Sequence, residues 1–171
     1  MRSGNLFRVD NGTINSKVPS AACIIKKVNY YAKWTTEVSF FKKYSSLESH
    51  TFDFLYFAKK LGGKTGIELS KKYIFQWYTL FKHKVNFPWS DELIAKRLIN
   101  ILYNYEFINS LSSKYETDYL NKIIYIHVKR LFYEFKKKSE FDLTSDELKA
   151  VTLFSLILNK NNLKFLKKIF L

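Results

Sequence analysis

An all-α fold of stacked antiparallel helical hairpins is what this 171-residue sequence predicts, and three observations carry that reading. Apolar residues make up 47% and aromatics 18%, more than a disordered chain carries, while five Gly and two Pro leave little material for the turns of a many-stranded sheet. From Ser46 onward, apolar residues recur at three- and four-residue intervals. Two tetrads, Thr65-Gly66-Ile67-Glu68 and Thr144-Ser145-Asp146-Glu147, have the capping-box form, in which a hydroxyl accepts from the third following N–H and a carboxylate reaches back. A chain of this length buries roughly 70% of the surface it exposes when unfolded, so one domain with a substantial core is expected.

Residues 1–20 are polar and carry the turn signals Gly4, Asn11-Gly12 and Pro19, which predict an irregular leader. Residues 21–45 include Tyr30-Tyr31-Ala32-Lys33-Trp34 and Val38-Ser39-Phe40-Phe41, aromatic but without sustained alternation. Residues 1–45 are therefore expected to be an irregular, aromatic-rich leader and packing segment, and 46–171 the helical domain. Phe54, Leu55, Ala58 and Leu61 predict a first helix that Gly62-Gly63 stops. The Thr65 box opens a second, running to about Phe81, with Leu69, Tyr73, Gln76, Trp77 and Leu80 inward. Asn86-Phe87-Pro88-Trp89 breaks the chain, and Ser90-Asp91-Glu92 supplies an N-cap and two carboxylates to a third helix ending near Asn104. A short helix at 106–112 precedes a long one opened by Thr117-Asp118, with Leu120, Ile124, His127, Leu131 and Phe135 on one stripe. The Thr144 box opens a helix that is apolar around most of its circumference, and Leu163, Leu166, Ile169 and Phe170 begin another. That last helix has no stop signal before Leu171, which is the expectation for a truncated frame or for a frayed terminal helix.

The formal net charge of +14 points to a polyanion: nucleic acid, an anionic membrane surface or an acidic polysaccharide. Solvated surface lysines from a biased composition account for the same number. Only Arg2, Arg8, Arg97 and Arg130 are arginines, and scarcity of the forked guanidinium that phosphate readers favour weighs against nucleic acid. Cys23 is the single cysteine, which excludes an intrachain disulfide. Met1 to Asp10 has no apolar signal core, and the longest apolar run, Val151 to Leu158, is shorter than the ~20 residues of a membrane span. A cytoplasmic chain is the expectation from these features.

No motif carries catalysis or a cofactor. His50, His83 and His127 lack a second ligand at helical spacing, so no metal site is expected. His127 falls within an apolar stripe, as a core histidine does, and His50 reads as a helix-start residue or a substrate contact. Gly62-Gly63-Lys64-Thr65 ends like a phosphate loop, but Lys59 stands where the first glycine of that motif belongs and no strand precedes it. Asp91-Glu92 and Asp146-Glu147 read as first-turn charges. Lys129-Arg130-Leu131-Phe132-Tyr133-Glu134-Phe135-Lys136 mixes rings and cations as a single-stranded nucleic-acid binder does, and equally as a core helix with solvated lysines does.

Three passages resemble the N-terminal helical region of heparinase II/III-family polysaccharide lyases. His50-Thr51-Phe52-Asp53-Phe54-Leu55 is similar to the aromatic-Asp-aromatic-Leu cluster that leads the family's first helix. Trp77, then Pro88-Trp89-Ser90, then Ala95-Lys96-Arg97-Leu98-Ile99-Asn100 is similar to its tryptophan and arginine progression. Leu148-Lys149-Ala150-Val151-Thr152-Leu153 resembles the helix before the catalytic part. Ile101 departs from the family's usual Trp, and Ser90-Asp91 from its proline-containing pair. The resemblance covers about two-thirds of the chain. It implies a partial α/α toroid and β-elimination on uronic-acid polysaccharides, with the family's tyrosine and histidine catalysts lying downstream of the matched region, so that no residue here inherits a catalytic role. It also implies a periplasmic setting and, as sugar contacts, Trp89, Arg97 and Asn100: a ring platform, a carboxylate fork and an amide. The competing reading has Trp89 stapling a helix start and Arg97 and Asn100 tying hairpins together. A small basic nucleic-acid-binding protein is the alternative function.

Overall fold

The computed structural model describes residues 19–32, 50–83, 87–138 and 142–161, and among these the chain is helical with no strand. Its helices are α1 (Ala21–Tyr31), α2 (Phe54–Leu61), α3 (Gly63–Phe81), α4 (Asp91–Tyr103), α5 (Tyr105–Asn109), α6 (Lys114–Phe135) and α7 (Ser145–Asn161), with a 3-10 turn at Phe87–Trp89. The all-α expectation holds. Residues 1–18 of the leader expected over 1–20, the strand-like Val38–Phe41 and the helix over 163–171 lie outside the described residues. No helix among the described residues is long and apolar enough to cross a membrane.

Part of the segment expected to be irregular is α1. The Ser20 hydroxyl accepts from the Cys23 N–H (3.3 Å), and Ile24 and Val28, one turn apart, are buried where α1 packs on α2. Clustered aromatic and β-branched residues masked that three-turn pattern. α3 begins earlier than its expected capping box. Gly62, at φ 70°, turns the chain, and the Gly66 N–H already bonds the Gly62 carbonyl, so no Thr65 box forms. Its inward face is also shifted: Ile74, Trp77, Tyr78 and Phe81 are buried, and Gln76 and Leu80 face out. α6 starts at a box made by Ser113 and Glu116 rather than at Thr117. The Thr144 box forms as expected, Glu147 N–H to Thr144 Oγ1 at 3.3 Å and Thr144 N–H to Glu147 Oε2 at 2.8 Å. Ser90 has the extended backbone of an N-cap but no capping bond; the Asp91 carboxylate takes the Glu92 N–H instead.

α4 is the central helix. It packs against α2, α5, α6, α7 and the 3-10 turn, and Leu93, Ile94, Ala95, Leu98, Ile99, Ile101 and Leu102 are buried around most of its girth. Burying side chains of this size stabilises by about 1.5–3 kcal/mol each. α2 and α3 approach closely at Gly66, where an added Cβ would lie 2.3 Å from the Ala58 carbonyl oxygen. Two lysines tie the periphery together. Lys71 of α3 reaches Glu116 of the α6 cap (2.7 Å) and the Leu111 carbonyl (3.3 Å). Lys138, just past α6, contacts Asp91 of α4 and the fully buried Glu147 of α7 (2.8 Å).

Candidate functional site

Arg97 organises the polar part of the core. It projects from α4 with no solvent exposure and donates from Nε to His127 Nε2 (3.1 Å), from one terminal nitrogen to the His50 carbonyl (2.9 Å), and from the other to the Pro88 carbonyl. Its guanidinium carbon lies 4.2 Å from the Trp77 ring centre, 5.3 Å from Trp89 and 5.9 Å from Phe52. The cation is thus held by two carbonyls, a neutral imidazole and π faces, and no carboxylate pairs with it among the described residues. Burial pulls its pKa down, with Arg130 adding to the effect. Three bonded acceptors keep this guanidinium a donor.

The histidines are built to stay neutral. The His127 Nδ1 faces the Ile123 carbonyl (2.8 Å), which makes Nδ1 the protonated nitrogen and Nε2 the acceptor for Arg97. His50 Nδ1 accepts from the Trp77 indole N–H (3.0 Å). Burial and then the Arg97 charge push both pKa values down, His50 to about 4. Neither histidine has the exposed, bridging geometry a general base needs.

Asn100, one turn along α4 on the same side, completes the knot by donating to the Thr51 carbonyl and to Asp53 Oδ1, each at 2.9 Å. Arg97 and Asn100 therefore both hold the 50–53 loop, where Phe52 adopts φ 68° and is fully buried. A left-handed aromatic residue costs about 1–3 kcal/mol and persists only where its surroundings over-determine it, as these bonds do. Asp53 precedes α2 without capping it, because its carboxylate is turned to Asn100.

The three residues expected to touch sugar thus meet in one region with different exposures. Trp89 is 6% exposed, its indole N–H on the Phe81 carbonyl (2.7 Å) and its ring between Arg97 and Arg130, the latter 3.7 Å away. Arg97 is fully covered and Trp89 nearly so, which leaves no free fork and little exposed ring at this position. Asn100 lines a cleft of about 460 Å³, together with Asp53, Glu92, Lys96, Asp146 and Lys149 among others. Three carboxylates against two lysines leave that cleft without the positive field an acidic ligand needs. Among the described residues no cluster of His, Cys, Asp and Glu could hold a metal ion.

No known family model, curated protein or solved structure matches the chain.

The ring-and-cation run on α6 divides by face. Leu131 is buried and Phe132 and Phe135 pack on the core, while Lys129, Tyr133 and Lys136 are exposed. The consecutive stacking rings of a single-strand binder are not presented. Sequence reasoning missed the buried Lys71 and the half-buried Lys138 as tethers, since lysines carry no local mark of the distant carboxylates they meet.

Proposed function

We propose that this chain is a helical scaffold of the heparinase II/III lyase type, a partial α/α toroid that binds acidic polysaccharide and does not itself cleave it. One observation supports this reading above the rest. Of the passages that resemble the family, His50–Leu55, Trp77, Pro88–Trp89 and Arg97–Asn100 lie apart in sequence yet bond to one another in a single cluster, and Leu148–Leu153 makes none of those bonds. The motif reads as architecture: Arg97 and Asn100 pin the strained loop that starts α2, and Trp77 and Trp89 wall in the guanidinium.

β-Elimination on a uronate needs a group to neutralise the carboxylate and a base to remove the adjacent proton. The cluster supplies neither, because its histidines are buried with Arg97 against them. The charge of +14 supports affinity for a polyanion without specifying the class.

The test is to incubate the purified protein with a polyuronate, follow unsaturated uronate product, and measure binding in competition with DNA of equal charge. Retention by polyuronate with no product is the expected result. Product formation overturns the inactive-scaffold reading, and preferential displacement by DNA replaces the glycan with nucleic acid.

A further inference from the structure

The outward face of α6 carries an ordered row of side chains. Tyr115, Lys122, Lys129, Tyr133 and Lys136 are all exposed, Tyr115 at 77% and Tyr133 at 61%. Lys122, Lys129 and Lys136 are spaced by seven, so they drift only about 20° per step around the helix. The buried face, Leu120, Ile123, Ile124, His127, Val128 and Leu131, occupies the opposite side. At 1.5 Å per residue the lysines stand about 10.5 Å apart and span about 21 Å.

None of the three lysines forms an ion pair with a described residue, whereas Lys71, Lys96, Lys137 and Lys138 are each committed to a carboxylate. Asp118, one turn before Lys122, is the one acidic residue on the row. The row is thus a file of uncommitted cations with one exposed ring, Tyr115, seven residues before its first lysine and another, Tyr133, between its last two, the latter with the Lys137 ammonium 4.0 Å from its ring centre.

We propose that this face of α6 is a track for a linear acidic polysaccharide, with Lys122, Lys129 and Lys136 meeting carboxylates and Tyr115 and Tyr133 lying against sugar faces. The proposal rests on the glycan reading above and moves its contact surface away from the Asn100 cleft. The spacing of the lysines is close to the length of two pyranose units in an extended chain, so one carboxylate in every second sugar faces the helix. Ammonium point charges suit single carboxylates, while a phosphate track would favour guanidinium forks, and the row contains none.

The experiment compares two triple variants of the full chain with equal loss of charge: K122Q/K129Q/K136Q on α6, and K26Q/K59Q/K60Q, three exposed lysines of α1 and α2. Binding to polyuronate is measured over a range of salt, with circular dichroism to verify the fold. The α6 triple is expected to lose at least tenfold in affinity and to show a shallower salt dependence, since fewer counterions are released; the control triple is expected to lose less than threefold. Y115A/Y133A is expected to weaken binding severalfold with the salt slope unchanged. Equal losses in the two lysine triples overturn the track while leaving a diffuse polyanion binder. Tighter binding of single-stranded DNA than of polyuronate to the unmodified protein, or no polyuronate binding at all, overturns the track together with the reading it rests on.

Discussion

The Nε of Arg97 donates to Nε2 of His127 across 3.1 Å inside a core where neither residue meets solvent, so the arginine's charge and the histidine's neutrality require each other. Protonating Nε2 removes the acceptor and sets two cations in contact. The same logic, one bond removed, governs His50, whose carbonyl takes a second Arg97 N–H.

Stability therefore depends on pH in a direction the geometry sets. A histidine whose folded pKa is depressed binds fewer protons folded than unfolded, so its contribution is fully present above the unfolded value near 6.5 and is lost as pH falls towards the folded value, about 4 for His50. Each histidine removes up to about 1.4 kcal/mol per pH unit in that window. Urea unfolding between pH 7.5 and pH 5 is expected to show falling stability, and His127→Gln to flatten the slope. An unchanged midpoint across that range contradicts the assignment.

Arg97→Met removes the donor for three acceptors and leaves them buried, with an expected loss of about 3–5 kcal/mol. Arg97→Lys keeps the charge but lacks the planar fork, and it is expected to lose at least about 2 kcal/mol. Urea midpoints at constant m-value measure both. A nearly neutral lysine variant would show that charge alone, rather than the fork, holds the 50–53 loop.

Gly66→Ala is expected to destabilise, although alanine inside a helix ordinarily gains about 1 kcal/mol over glycine. The new methyl would meet the Ala58 carbonyl oxygen at 2.3 Å, and backbone cannot give way as a flexible side chain can. The expected loss is about 1–3 kcal/mol, read as a fall in thermal midpoint. A stabilised variant would show that α2 and α3 are not in close contact there.

Lys138→Met leaves the fully buried Glu147 carboxylate with its Thr144 bonds but without its cation. The expected loss is about 1–3 kcal/mol, against less than about 0.5 kcal/mol for Lys96→Met, whose pair with Glu92 is solvated. Equal effects would mean that Lys138 is no more than a surface ion pair.

Local signals in the sequence were those that act within one or two turns. The stop at Gly62, the Thr144 box and the start of α4 at Asp91 follow from short-range chemistry and appear where expected. The phase of α3 did not, because Trp77 is buried on either choice of face and only the neighbouring helices decide between Ile74 and Gln76. α1 was hidden for a similar reason: its two buried residues mean little until α2 is beside them. At the candidate site, sequence placed Trp89, Arg97 and Asn100 together but could not assign their exposure. Burial of an arginine depends on acceptors supplied by residues 30 and 47 positions away, His127 and the His50 carbonyl.

The most direct measurement follows the indole N–H signals of Trp77 and Trp89 by NMR while a uronate oligosaccharide is added to saturation. The motif residues are held here to be architecture, with glycan contact on the outer face of α6. The expected result is movement of the Lys122, Lys129 and Lys136 backbone amides with both indole signals unmoved. Movement of the Trp89 indole with a silent α6 would contradict the account and return the sugar to the Arg97 cluster.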